Sequence, residues 1–440
     1  MERKFDRTLK EWAVKKHRKP LLLRGARQTG KTYAVRKLGA TFPTFIEINF
    51  EQEPRFRRLF QNDLDIQRIL REIGALLQKK IEPGTTLLFF DEIQICPEVV
   101  TALRYFFELM PDLHVIGAGS LLEFELRNLS VPVGRITFAY VRPLTFEEYL
   151  RATNRGSLAD EIGAATPQKP PGQLIHEASI DALREYLYIG GMPGVISAFR
   201  ESGSILTAEE EQRDIIQTYR ADFSKYTGRT GIERIEKVFN AIPPMAGSKT
   251  VFSEIDPDAR TYQTKGAYDL LEMARVIAKV RNSTGAGLPL SAGASDKHFK
   301  SVFLDVGLSQ RLLAVDYKDW SGRVSLLDRH RGAVAEQFVG QELMHRAGDY
   351  EDPGLYYWHR MSAGSQAEVD YLVEAGGSAV PVEVKSATAG HLRSMRQYLD
   401  MYKNIGSGVK CSLDPFGRSG DIVNIPLYAA GRIAELAVHA

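Results

Sequence analysis

The segment Leu21-Leu22-Leu23-Arg24-Gly25-Ala26-Arg27-Gln28-Thr29-Gly30-Lys31-Thr32 constrains the fold more than any other part of this 440-residue chain. An apolar strand that runs directly into GxxxxGK[ST] is the strand–loop–helix form of a phosphate-binding loop. Glycines allow successive backbone N–H groups to converge on phosphate oxygens at a helix N-terminus. The candidate nucleotide-binding residues are Gly25, Gln28, Thr29, Gly30, Lys31 and Thr32. Lys31 supplies a cation to the β and γ phosphates, and the Thr32 hydroxyl is placed for Mg²⁺. The expected ligand is ATP with Mg²⁺; a merely tight turn is the alternative.

A loop of this kind sits on a parallel sheet, and the first third of the chain has the matching rhythm. Pro20 to Arg24, Phe45 to Phe50, Thr86 to Phe90 and His114 to Ile116 read as short buried strands separated by helix-like segments. Ile136 to Val141 could add another strand, and Pro143 followed by Thr145 and Glu148 reads as a capped helix start. The strand Thr86 to Phe90 ends in Asp91-Glu92. Asp91 is the candidate Mg²⁺ holder with Thr32, and Glu92 the group that orients and polarises an attacking water. An acidic helix cap is the plainer reading of the pair. Ser120, beyond the strand at His114, could sense the γ-phosphate or be a loop serine. Arg135 and Arg142 are candidate fingers reaching a neighbouring subunit's nucleotide, which would make the protein a homo-oligomer, or else surface ion-pair residues.

The chain is long enough for two to four domains, and its 44% hydrophobic and 25% charged residues are the balance of a folded protein. A formal charge of +2 does not argue for nucleic acid by itself. Cys96 and Cys411 have neither disulfide nor metal spacing, which fits a reducing cytoplasm. No apolar run approaches the roughly 20 residues of a membrane span, so neither export nor insertion is expected. Gly156 to Gly172 reads as a loop, and Gly190-Gly191-Met192-Pro193-Gly194 as a sharp turn or hinge. Two amphipathic patterns between Ile232 and Val280 flank Pro243-Pro244 and suggest helix–turn–helix geometry. Arg260, Gln263 and Lys265 open its second helix and could face DNA, or form a solvated face.

Further on, a helix near Ala333 to Arg346 precedes two alternating runs, Glu368 to Val373 and Val380 to Val384, which read as a β-hairpin. Asp370 lies in its first strand, while Glu383 and Lys385, two apart, share a face at the end of the second. Glu336 lies on the helix. Two carboxylates near a lysine can bind Mg²⁺ and generate a hydroxide for attack on a phosphodiester. The same Glu-x-Lys is also an ordinary ion-pair arrangement. His359, after Tyr356-Tyr357-Trp358, and His391 could contact a nucleic-acid strand, although such an aromatic run is more often strand core.

Taken together, Gly25 to Thr32, Leu87-Leu88-Phe89-Phe90-Asp91-Glu92-Ile93-Gln94, Gly119-Ser120-Leu121-Leu122, Gly134-Arg135 and Arg142 to Leu150 resemble bacterial and archaeal AAA-type ATPases with a C-terminal DUF4143 domain (AAA_14/DUF4143). Gly190 to Pro193, Phe303 to Leu308 and Val382 to Ser386 match that family too. The order Glu336, Asp370, Glu383, Lys385 is similar to the PD-(D/E)xK nuclease pattern. The resemblance implies an α/β protein: an AAA-type P-loop parallel-sheet core (1–155), a linker and helical lid (156–225), a winged-helix-like segment (226–300) and a C-terminal α+β, PD-(D/E)xK-like DUF4143 domain (301–440). Two functions fit: an ATP-hydrolysing, DNA-associated switch or motor with a nuclease-like domain, or a non-cleaving ATP-dependent module that docks a protein or nucleic-acid partner.

Overall fold

The computed structural model describes residues 1–119, 122, 134–226, 231–317, 329–360, 367–386 and 392–438. They form two compact units: Glu2–Arg142 with Ala347–Asp352, and Met1 with Pro143–Arg346 and Pro353–Ala440.

The first unit is built on five parallel strands, β1 (Leu21–Arg24), β2 (Thr44–Asn49), β3 (Thr86–Asp91), β4 (His114–Ala118) and β5 (Thr137–Tyr140), in the order β2-β3-β4-β1-β5. Their continuous apolar runs are explained by burial on both faces. Leu21, Leu23, Leu87 and Phe89 point into one core, against Phe5, Leu9 and Trp12 of the helix Lys4–Val14 and Ala34, Val35 and Leu38 of the helix Lys31–Gly39. Leu22, Leu88 and Phe90 alternate to the other face, where the helices Ile66–Leu77 and Glu98–Leu109 bring Ile69, Ile73, Leu103 and Phe106. Because every strand runs the same way, the ends of β1, β3 and β4 open on one edge of the sheet, where ligands of such folds bind.

The second unit begins with the helix Phe146–Ala152, whose Thr145 and Glu148 form a capping box. The expected loop after Gly156 is in fact helical over Gly156–Ala164, with Ala159 and Ile162 buried. Leu158, Ala159, Glu161 and Ala164 are sound helix formers, and the prolines that suggested a loop all lie beyond its end. The turn at Gly190 joins the helices Gln173–Ile189 and Pro193–Ser202; Gly190 has φ +83° and Pro193 starts the second helix. The helices Ile232–Ala241 and Thr261–Met273 follow, with short turns between them.

A mixed sheet of eight strands completes this unit: β6 (Ile277–Ser283), β7 (Ala294–Phe303), β8 (Leu355–His359), β9 (Glu368–Ala375), β10 (Ser378–Val384), β11 (Gly408–Ser412), β12 (Gly417–Ser419) and β13 (Ile422–Pro426). Their order is β12-β13-β11-β10-β9-β8-β6-β7. β9 and β10 form the expected hairpin, turned by Gly376 and Gly377, both at positive φ. The helix Arg329–Leu343 carries Glu336. Cys96 and Cys411 are free and buried. Among the described residues no helix is long and apolar enough to cross a membrane.

Candidate functional site

At the open edge of the first sheet, β1 turns at Gly25 (φ +146°), passes Gln28 (φ +62°) and enters the next helix through Gly30 (φ +93°). A Cβ on Gly25 would lie 2.2 Å from the Val141 carbonyl oxygen, so this position has no room for a side chain. Thr29 is buried and its hydroxyl donates to the Ala26 carbonyl at 3.0 Å. Lys31 Nζ lies back over the loop, donating to the carbonyls of Gly25 (2.9 Å) and Ala26 (2.8 Å). Gln28 is exposed.

Two strands away, Asp91 ends β3 facing this loop, and the Thr32 hydroxyl donates to Asp91 Oδ2 at 3.0 Å. The other carboxylate oxygen accepts the Glu92 N–H at 3.0 Å. Burial, followed by the charge of Glu92, pushes the Asp91 carboxyl up to about 6; the two hydrogen bonds act in the opposite direction. A hydroxyl and a carboxylate side by side are oxygen donors suited to Mg²⁺, which keeps most of its own waters at such sites. Thr32 and Asp91 therefore fit the ion.

Glu92 is half-buried in the left-handed region (φ +53°), an uncommon conformation for this residue type, and Gln94 Nε2 donates to Glu92 Oε2 at 2.5 Å. The Gln94 amide in turn fills the space beside Gly119, where a Cβ would meet Gln94 Oε1 at 2.2 Å.

The remaining candidates of this unit divide. Ser120 lies outside the described residues. Arg135 is exposed and paired with Glu108 at 2.9 Å. Arg142 is buried and donates to the carbonyls of Gly348 (3.2 Å) and Glu351 (2.6 Å), a pinning role within the unit. Arg3, which nothing in the N-terminal sequence singles out, braces the phosphate loop by donating to the Thr29 carbonyl at 2.7 Å. Gln94 was also missed, although a polar residue two positions beyond an acidic pair is a signal worth weighing.

In the second unit Glu336, Asp370, Glu383 and Lys385 do come together, around a residue the sequence reading overlooked. Lys300, on β7, is buried. Its ammonium lies 2.6 Å from Glu368 Oε1, 3.3 Å from Glu336 Oε2 and 3.7 Å from Asp370 Oδ1, and 5.3 Å from the centre of the Tyr357 ring. Asp370 Oδ2 accepts the Val384 N–H at 2.7 Å, and Lys385 Nζ donates to Glu383 Oε1 at 2.6 Å. Burial and then the charge of Asp370 push both Glu336 and Glu383 up from the usual carboxylate range. Burial works against the charge on Lys300, but Glu336, Asp370 and Glu368 offset it and hold the amine well above its ordinary value. Among the described residues no three carboxylate, histidine or cysteine side chains converge as metal ligands would. A divalent ion does not fit this cluster while an ammonium is seated in it. Tyr357 and Trp358 are strand core, His359 is partly exposed, and His391 lies outside the described residues.

The first unit thus has the fold and loop of a P-loop ATPase-like domain. Residues 17–150 match the family model described as AAA domain. Residues 180–319 match a domain of unknown function, DUF8612, and residues 331–429 match another, DUF4143. The DUF8612 match runs across stretches that the sequence reading divides among lid, winged-helix-like segment and C-terminal domain. No curated protein matches the chain. Among solved structures, the Walker-type ATPase PABY2304 of Pyrococcus abyssi is 15% identical, with 71% of this chain and 95% of that one covered and a TM-score of 0.45. The ORC1 protein of Aeropyrum pernix, solved in complex with DNA, is 12% identical over 70% of this chain and 90% of that one, with a TM-score of 0.29. PCH-2 of C. elegans is 13% identical over 48% and 65%, with a TM-score of 0.24.

Proposed function

We propose that the chain binds Mg-ATP at Gly25 to Thr32, hydrolyses it, and uses the nucleotide state to switch a DNA-holding, non-cleaving second unit. The observation that carries the reading is the 3.0 Å contact between the Thr32 hydroxyl and Asp91, beside the loop that holds Lys31. Thr32 and Asp91 would hold Mg²⁺, which would supply neutralisation of phosphate charge. Lys31 exchanges its loop carbonyls for phosphate oxygens, and the backbone N–H groups at the helix start bind the same phosphates. Glu92 accepts the proton of an attacking water once Gln94 releases or reorients it; Gln94 is thus a positioning residue for the base. Glu92→Gln should keep ATP binding and lower turnover by roughly a hundred- to ten-thousandfold. Wild-type turnover in that variant would remove Glu92 from the mechanism.

The DNA part of the reading is supported by the order helix, helix, antiparallel strand pair over Ile232–Ala241, Thr261–Met273 and β6-β7, the order of a winged helix. Arg260 and Lys265 are exposed at the start of the second helix, and Lys297 and His298 are exposed on β7. Fluorescence anisotropy with duplex DNA over a salt series should show affinity that falls steeply with salt, and Arg260→Glu with Lys265→Glu should weaken it. DNA should be recovered uncut in Mg²⁺ or Mn²⁺. Salt-insensitive affinity, or none, would leave a protein partner as the better reading.

A further inference from the structure

The PD-(D/E)xK-like cluster raises a question independent of ATP and DNA: what balances four carboxylates in a buried place? Glu336, Glu368, Asp370 and Glu383 all contribute, with Glu336, Asp370 and Glu383 largely inaccessible to water. Burying such charges without partners is prohibitive, so each carboxyl must either take up a proton or face a cation. Lys385 is taken by Glu383. Lys300 Nζ contacts the other three, and the Tyr357 ring closes another side of the ammonium. One oxygen, Glu383 Oε2, is buried with no hydrogen-bond partner among the described residues. Glu383 is only 6% exposed, and Asp370 and Lys300 are among the charges that act on it.

We propose that Lys300 is a built-in counter-cation that occupies this cluster in place of a divalent metal, and that removing its ammonium turns the cluster into a divalent-cation site. The contacts carry the first half, and the second follows from the charge that removing the ammonium would leave. An ammonium within 2.6 to 3.7 Å of three carboxylates stands where a metal would have to stand. Its removal leaves Glu336, Glu368 and Asp370 without their ammonium, with Glu383 Oε2 as a further oxygen donor. Hard divalent ions such as Mg²⁺ and Mn²⁺ select such oxygen ligands.

The test is Mn²⁺ binding to the full-length, nucleotide-free protein, read as loss of the free-ion paramagnetic resonance signal, with thermal unfolding in parallel. Lys300→Ala should bind one Mn²⁺ more than wild type, at or below about millimolar concentration, and Mn²⁺ should raise the midpoint of the variant by more than that of wild type. Adding Asp370→Asn should abolish the extra ion. The comparison with wild type subtracts ions at the phosphate loop. Lys300→Met, which keeps the volume, serves if the alanine variant folds poorly; recovery of either variant with Mn²⁺ supports the proposal, and failure to recover at saturating Mn²⁺ counts against it. A wild-type ion that Asp370→Asn removes, or a folded Lys300→Ala that binds none, overturns it. These results do not depend on ATP turnover or DNA binding.

Discussion

Each unit buries a lysine, and the two arrangements are opposite in kind. In the first, Lys31 rests on the neutral carbonyls of Gly25 and Ala26, and Asp91 engages a hydroxyl and a backbone N–H. A phosphate brings more charge than the carbonyls it displaces, so the site gains by opening to ligand. In the second, Lys300 is held by three carboxylates in a buried setting, where opposite charges attract far more strongly than in water. Any entering cation must first displace a covalently tethered one. On the proposals made above, the same residue type prepares a binding site in one unit and closes one in the other.

The widest gap between the two lysines should appear in stability. Lys300→Met leaves buried carboxylates unpaired and should cost about 3–5 kcal/mol, read by denaturant unfolding without divalent ions. Lys31→Ala should leave stability nearly unchanged; equal losses at both positions would break the contrast. The converse holds for nucleotide. Lys31→Ala removes charge-assisted hydrogen bonds worth roughly 1.5–3 kcal/mol, or about 10- to 100-fold in affinity, by isothermal titration with Mg-ATP, whereas Lys300→Met should bind as wild type does.

A smaller effect follows from Asp91. Its carboxyl is raised to about 6 in the folded protein from an ordinary value of 3.8, so the folded state binds this proton more tightly than the unfolded chain. Its contribution to stability is therefore fully present below about pH 4 and is lost as the pH rises towards 6. Mg-ATP affinity runs the other way because it needs the carboxylate, and should fall up to about tenfold for each pH unit below 6. A flat profile between pH 5 and 6 would show that Asp91 is ionised throughout. The smallest effect is expected at Arg135, whose exposed pairing with Glu108 gives no reason for a catalytic loss. Turnover of Arg135→Ala should match wild type at every protein concentration; a concentration-dependent deficit would restore the arginine-finger reading and with it an oligomer.

The contrast also explains what could be read in advance. The phosphate loop is contiguous, its conformation is dictated by its own glycines, and the strands around it are apolar on both faces. Gly25 to Thr32, the five strands and the Asp91-Glu92 ending were accordingly legible. The hairpin of β9 and β10 was legible for a similar reason: its register is fixed by alternation and a Gly-Gly turn. Lys300 was not, because its partners lie dozens of residues away and only the sheet brings them together. The available signal was a lysine between Phe299 and Ser301-Val302-Phe303, in the buried half of a strand where an unpaired charge could not stay. Gly156–Ala164 shows the reverse error, in which overall glycine, alanine and proline content outweighed the order of the residues.

Gly119 and Gln94 leave a trace that sequences alone should carry. A Cβ at 119 would sit 2.2 Å from Gln94 Oε1, so the two positions share one volume. Across relatives they should drift as a pair, a larger residue at 119 accompanying a shorter one at 94. Lineages in which that exchange has occurred would have lost the amide that holds Glu92, and the rate at which they consume nucleotide at rest would have been free to evolve with it.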